Sequence, residues 1–177
     1  MSLSGRSIII ERDCKAILVP SGQVLELKAG TPVRVTQALG NNYSVEVFGQ
    51  LVMIASLDAD ALGIEIDPNQ HQFLQDDNLS VEDKAILLLK TCYDPEIPVN
   101  IYDLGLIYGI STLGEELFIT MTLTSPTCGM GPFIVEEVKR QTHRIPGVDE
   151  VKVEIVFDPP WDRSRMSQAA RLQLNLM

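Results

Sequence analysis

Leu117-Phe118-Ile119-Thr120-Met121-Thr122-Leu123 runs directly into Thr124-Ser125-Pro126-Thr127-Cys128-Gly129-Met130-Gly131-Pro132, and this join decides the fold of the carboxy-terminal half. The first seven residues alternate. Leu117, Ile119, Met121 and Leu123 share one face, and Phe118, Thr120 and Thr122 share the other, the period of a half-buried strand. The next nine contain two prolines, two glycines and three hydroxyl residues around one cysteine, the chemistry of a shaped loop. Pro132 then suits the first position of a helix, which the spacing of Ile134, Val138 and Ile145 carries to about Arg144, where Pro146-Gly147 stops it.

Working outward, Ser80 with Asp83 three residues on predicts a capped helix start. Val81, Ala85, Leu88, Leu89 and Cys92 form its apolar stripe, and Pro95 is expected to end it. A strand is expected near Leu106–Ile110, with a turn at Leu113-Gly114-Glu115. Val151, Val153, Ile155 and Phe157 alternate as a third strand that Asp158-Pro159-Pro160-Trp161 ends, and a short helix follows around Ser167–Leu174. The predicted order is α-β-β-α-β-α: an α+β domain with helices packed on a three-stranded sheet.

Residues 1–63 read differently. Short branched runs (Ile8–Ile10, Ala16–Val19, Thr31–Thr36, Tyr43–Phe48, Leu51–Ile54) are punctuated by Pro20-Ser21-Gly22, Ala29-Gly30 and Gly40-Asn41-Asn42. This predicts a small all-β domain, a barrel or sandwich, with a tight hairpin at Gly49-Gln50. Residues 64–78 read as a linker, so the expected organisation is 1–63, linker 64–78, and 79–177.

The 177 residues carry a net charge of −10, which argues against a general nucleic-acid binder. No apolar run is long enough to span a bilayer, the first residues lack a signal-peptide pattern, and three widely spaced cysteines argue against a disulfide framework. These features predict a cytoplasmic protein.

Cys128 is the strongest chemical signal. A thiol near a helix start is placed to ionise, and the flanking glycines permit close approach of a partner or cofactor. Cys92 lies on an apolar stripe and reads as core. Cys14, in Glu11-Arg12-Asp13-Cys14-Lys15, reads as exposed. A catalytic nucleophile wants a histidine base, yet His143 falls about 17 Å from the helix start and His71 lies in the linker. A self-sufficient metal site wants Cys-x-x-Cys or a Cys/His cluster, and there is none. Between two prolines Glu96 is held stiffly beside Asp94, and Asp103 stands at the mouth of a strand. Trp161, beside two prolines, reads either as packing or as a contact surface with Asp158.

Together Asp94-Pro95-Glu96-Ile97-Pro98-Val99, Asp103-Leu104-Gly105-Leu106-Ile107, Met121–Cys128 and Phe157-Asp158-Pro159-Pro160-Trp161 resemble the PaaD-like, metal–sulfur cluster biosynthesis domain. Cys128-Gly129-Met130-Gly131-Pro132 resembles its SufT branch. So do Glu11-Arg12-Asp13-Cys14, Val19-Pro20-Ser21-Gly22, Thr36–Gly40 and Asp58–Gly63 in the amino-terminal half. The resemblance implies a non-enzymatic accessory factor of the SUF iron–sulfur system, acting with other SUF assembly proteins and recipient iron–sulfur enzymes. It implies a reactive Cys128, supported by Asp94, Glu96, Asp103, Thr124 and Ser125, that meets a transient iron–sulfur cluster or iron. The open alternatives are a docking adaptor without metal and a thiol-dependent enzyme. A homodimer is also compatible with a single thiol per chain.

Overall fold

The computed structural model describes residues 4–39, 42–65, 67, 69–94 and 97–176. They divide into two compact units, Met1–Gln70 and His71–Met177.

The first unit is one antiparallel sheet of six strands: β1 (Ser7–Ile9), β2 (Cys14–Leu18), β3 (Val24–Leu27), β4 (Pro32–Leu39), β5 (Asn42–Val47) and β6 (Gln50–Ile54), in the order β1-β4-β5-β6-β2-β3. It is a single sheet rather than the two facing sheets of a sandwich. Ile10, just beyond β1, and Leu27 on β3 join Val33, Val35, Val45, Val47, Val52 and Ile54 in one core, so the sheet curls around its own interior. Ala61 and Leu62, from a 3-10 segment after β6, complete that core.

Two expectations are corrected here, and one strand is added. The β5–β6 turn is Phe48-Gly49, because Val47 pairs with Gln50 and both turn residues have positive φ, 51° and 74°. That is the type I′ turn whose twist suits a two-residue hairpin. Strand β3 is not announced by Val24-Leu25-Glu26-Leu27, and pairing with β2 makes it. Cys14 is buried, not exposed, because it shares the inward face of β2 with Ala16 while Asp13 and Lys15 take the polar side. Burial and the nearby Asp58 carboxylate push its thiol pKa up.

The second unit has the predicted order. Helix α1 (Val81–Leu89) precedes β7 (Ile107–Leu113) and β8 (Glu116–Met121); helix α2 (Gly131–Thr142), β9 (Glu150–Ile155) and α3 (Gln168–Gln173) follow. The sheet order is β7-β8-β9, with β7 and β8 antiparallel and β8 and β9 parallel. Helix α1 packs on α2 and β7, and α2 on β9, so the helices cover the face carrying Leu117, Ile119 and Met121. Leu88, Leu89, Ile101, Leu104, Leu106, Ile134 and Val138 fill the space between.

The Ser80 hydroxyl accepts the Asp83 N–H and the Asp83 carboxylate answers at Ser80, the expected capping box. The end of α1 is corrected: the helix closes at Leu89, well before Pro95. There the Thr91 hydroxyl and backbone N–H both donate to the Leu88 carbonyl, and the Cys92 N–H donates to that of Leu89. The third strand also stops early, at Ile155, leaving Phe157 largely exposed beyond it.

Candidate functional site

Three loops leave the three-stranded sheet side by side. Since β8 and β9 are parallel, the segments after them, 122–130 and 156–161, emerge at the same end. Since β7 is antiparallel to β8, the turn before β7 emerges there too. The Thr122 N–H reaches the Leu106 carbonyl at 2.8 Å and the Val156 N–H reaches that of Met121 at 2.9 Å, which stitches the three exits together. In open α/β sheets ligands bind outside the carboxyl ends of the parallel strands, and the β8–β9 pair presents the corresponding end here.

The Cys128 loop is two successive turns. The Ser125 hydroxyl takes the Thr127 N–H at 3.3 Å and lies 2.9 Å from the Thr127 hydroxyl. The Cys128 N–H donates to the Ser125 carbonyl, and the Gly131 N–H to the Cys128 carbonyl, both at 3.2 Å. Met130, fully buried, pins the loop from below, and the Leu123 side chain lies so close to Gly131 that a Cβ there would sit 2.7 Å from it. Between exposed Thr127 and exposed Gly129, Cys128 is half-buried against the rim of the core. Its sulfur makes no hydrogen bond among the described residues. Gly131, not Pro132, opens α2, so this helix start presents fewer free N–H donors than one with four open.

The other thiols are different. Cys92 is buried and burial pushes its thiol up to about 12. Cys14 is buried in the first unit. At pH 8 an aromatic disulfide reagent is expected to titrate one thiol per native chain, and three once the chain is unfolded in guanidinium. A Cys128→Ser chain should titrate none until it unfolds. Two fast thiols in the native chain would contradict the burial of Cys14 and Cys92.

Asp103 sits in a single helical turn beside the loop. Asn100 caps that turn: its side-chain oxygen takes the Asp103 N–H at 2.8 Å and its side-chain amide donates to the Asp103 carboxylate at 2.7 Å. The turn ends with Gly105 at φ 82°, the Gly105 N–H on Tyr102 and the Leu106 N–H on Ile101, a Schellman closure. Asp94 lies one residue beyond Tyr93, which forms an isolated bridge with Asn100, so Asp94 is held next to this turn. Asp94 itself is 4% exposed. Glu96 and Pro95 lie outside the described residues. Thr124 and Ser125 are half-buried on the loop itself.

The chain after β9 straps across the Asp103 turn. The Trp161 indole N–H donates to the Leu104 carbonyl at 2.8 Å, and the Ser167 N–H to the Asp103 carbonyl at 2.8 Å. The Gln173 side-chain amide donates to the Pro98 carbonyl at 2.6 Å, and the Tyr108 hydroxyl to that of Pro159 at 2.8 Å, with Arg165 stacked on the Tyr108 ring. Trp161 therefore spends its polar atom inside the domain, while Asp158 remains exposed.

Sequence reasoning missed a buried polar group on α2. Glu137, 3% exposed, is paired with Arg140 and takes the Gln141 side-chain amide at 2.9 Å. Arg140 is also near enough to Cys92 to oppose, in part, the rise in its thiol pKa. Spacings of three and four along a helix read as an ordinary solvated face, so nothing local marked it. Among the described residues no three His, Cys, Asp or Glu side chains are grouped to hold a metal ion. One thiol, hydroxyls and carboxylates on adjoining loops can offer a single soft ligand and hydrogen bonds, and the rest of a cluster's ligands must come from elsewhere.

The second unit is thus a small α+β domain whose one accessible thiol follows the end of β8, and comparison with known proteins places it. Residues 82–155 match the family model described as iron-sulfur cluster assembly protein. A Porphyromonas gingivalis "Fe-S protein maturation auxiliary factor" is 44% identical over 101 residues, 56% of this chain and 95% of the relative. The Staphylococcus aureus "Fe-S protein maturation auxiliary factor SufT" is 39% identical over 84 residues, 47% of this chain and 96% of the relative. The crystal structure of a domain of unknown function from Bacillus anthracis superposes with a TM-score of 0.52 at 37% identity, covering 55% of this chain and 93% of that one. The chain belongs to the SufT family of Fe-S protein maturation auxiliary factors.

Proposed function

We propose that this chain is an accessory factor in iron–sulfur protein maturation, with Cys128 as the group that meets the cluster, or iron, in transit. The observation that carries the reading is the contrast among three thiols. Two are buried, and the third is half-exposed on a turn-built loop where three loops converge. The cluster is cargo. A single thiolate holds it incompletely and releases it readily, with donor or recipient supplying the remaining ligands. The names of the relatives support the same role.

In this reading the protein is not an enzyme. Thr124 and Ser125 sit on the thiol's own loop, Asp94 and Glu96 are the supporting carboxylates assigned to it, and Asp103 shapes the adjoining turn. Asp158 offers a polar contact on a strap that Trp161 fixes. Residues 79–177 are the working domain and 1–63 a separate β domain. The partners are other SUF assembly proteins and recipient iron–sulfur enzymes in the cytoplasm, neither nucleic acid nor membrane, and no helix among the described residues is long and apolar enough to cross a membrane.

Anaerobic addition of ferrous iron and sulfide to the purified chain tests it. A visible charge-transfer spectrum that the Cys128→Ser chain lacks, and that decays as an apo recipient enzyme becomes active, is the expected result. An identical spectrum from the Cys128→Ser chain would remove Cys128 as the ligand. No spectrum from either chain, with maturation still dependent on Cys128, would leave the adaptor that docks without metal.

A further inference from the structure

The strap that follows β9 carries a charge unlike that of the rest of the chain. Residues 159–177 hold three arginines, Arg163, Arg165 and Arg171, against one carboxylate, Asp162, in a chain of net charge −10. All three arginines are exposed. Where carboxylates outnumber bases, cations find them readily: Arg12, Lys28, Lys139, Arg140 and Lys152 each sit against one. The arginines of the strap do not. Asp162 accepts the Ser164 N–H at 2.7 Å, and none of the three guanidiniums makes an ion pair among the described residues.

The local geometry keeps donors free. The Arg165 guanidinium lies 4.4 Å from the centre of the Tyr108 ring. Stacking holds a guanidinium by its face and leaves the N–H groups at its edge open to a carboxylate. Arg171 folds back on the strap. Its Nε donates to the Met166 carbonyl at 3.2 Å, and one terminal nitrogen donates to the carbonyls of Ser164 and Met166 at 3.3 and 3.1 Å. The Arg163 side chain makes no hydrogen bond among the described residues. The backbone beneath is fixed. Met166 is buried, the Ser167 N–H donates to the Asp103 carbonyl, and the Arg165 carbonyl packs against Gly105. Cations presented on a fixed backbone lose less freedom on binding.

We infer that Arg163, Arg165 and Arg171 form a docking surface for an acidic segment of a protein partner, bound along the strap beside the Asp103 turn. Charge complementarity carries the inference. Three unpaired guanidiniums in an acidic chain match a run of carboxylates, and each guanidinium can give a carboxylate two parallel N–H bonds. The alternatives fit worse. A single phosphate wants converging donors, whereas Arg163 and Arg165 stand about 240° apart around a 3-10 turn. An anionic membrane is read by clusters of about four to eight basic residues, and the strap has three. A second copy could offer its cleft of Glu11, Asp60 and Glu65, but a strap-to-cleft contact is head-to-tail and does not close as a twofold dimer does.

The test titrates the full chain into fluorescein-labelled deca-glutamate and follows the anisotropy. The peptide needs neither cluster nor iron, so the result is independent of the role proposed for Cys128. Binding is expected, weakening by about tenfold or more between about 50 and 300 mM sodium chloride. Arg163→Gln and Arg165→Gln should each lower the affinity by about fivefold or more. Arg165→Lys, which keeps the charge but not the planar fork, should lower it by about two- to threefold. Arg6→Gln, at an exposed position of the first unit, should bind as the native chain does. Arg171 is left in place because two carbonyls of the strap rely on it. Equal affinity of the native, Arg163→Gln and Arg165→Gln chains would overturn the proposal. So would no binding by the native chain at low salt, an equal fall with Arg6→Gln, or displacement of the peptide by equimolar inorganic phosphate. Self-association of the chain, or cosedimentation with phosphatidylglycerol vesicles, that is lost with Arg165→Gln would overturn it too.

Discussion

Gly105→Ala is expected to lower the melting temperature of the second unit by roughly 10–20 °C, the response of a domain of this size to about 3 kcal/mol. Two terms combine. Gly105 has φ 82°, where a Cβ costs about 1–2 kcal/mol. That Cβ would also collide with the Arg165 carbonyl oxygen and lie 2.6 Å from its carbon. Backbone cannot rotate aside as a side chain can, so the turn or the strap must shift, at a further cost of about 1–3 kcal/mol. The strap is anchored on the same turn by Trp161 and Ser167. The variant should therefore also show a red-shifted Trp161 emission before global unfolding. A melting point within about 2 °C of the native chain would mean that strap and turn are not in register.

Cys128→Ser is expected to abolish maturation in cells while leaving the fold intact. The side chain is half-buried at the rim of the core and its sulfur makes no hydrogen bond among the described residues, so a near-isosteric hydroxyl disturbs little. What it removes is the soft, ionisable atom. The same exchange at buried Cys92 should act the other way. It would place a hydroxyl beside the Leu88 carbonyl, which the native sulfur approaches at 3.6 Å, and lower stability modestly with function retained.

The second unit is legible wherever periodicity and punctuation agree. The alternation of β8, the capping box of α1 and the glycine–proline framing of Cys128 are local signals, and each sits where the pattern puts it. The errors fall where long-range pairing overrides local preference. Val24-Leu25-Glu26-Leu27 has no alternation of polarity to announce a strand, and only its ladder with β2 makes it one. Phe48 is a poor turn residue, so the pattern places the hairpin one position late. Cys14 looks polar because its neighbours in sequence are charged, although a strand turns alternate residues to opposite faces. The candidate site divides in the same way. Cys128 stands out because its loop chemistry is local. The strap over Asp103 cannot be read, since Trp161 and Leu104 are brought together only by the fold. The buried Glu137–Arg140 pair cannot be read either, because its spacing is that of a surface pair.

The function proposed for the second unit turns on Cys128 as the thiol open to cargo or partner. It is tested by returning native and Cys128→Ser chains, matched for abundance and melting temperature, to cells lacking the protein, and measuring an iron–sulfur-dependent dehydratase in extracts. Full recovery is expected with the native chain, and no more than the empty vector with the Cys128→Ser chain. Equal recovery with both would show that maturation does not pass through this thiol.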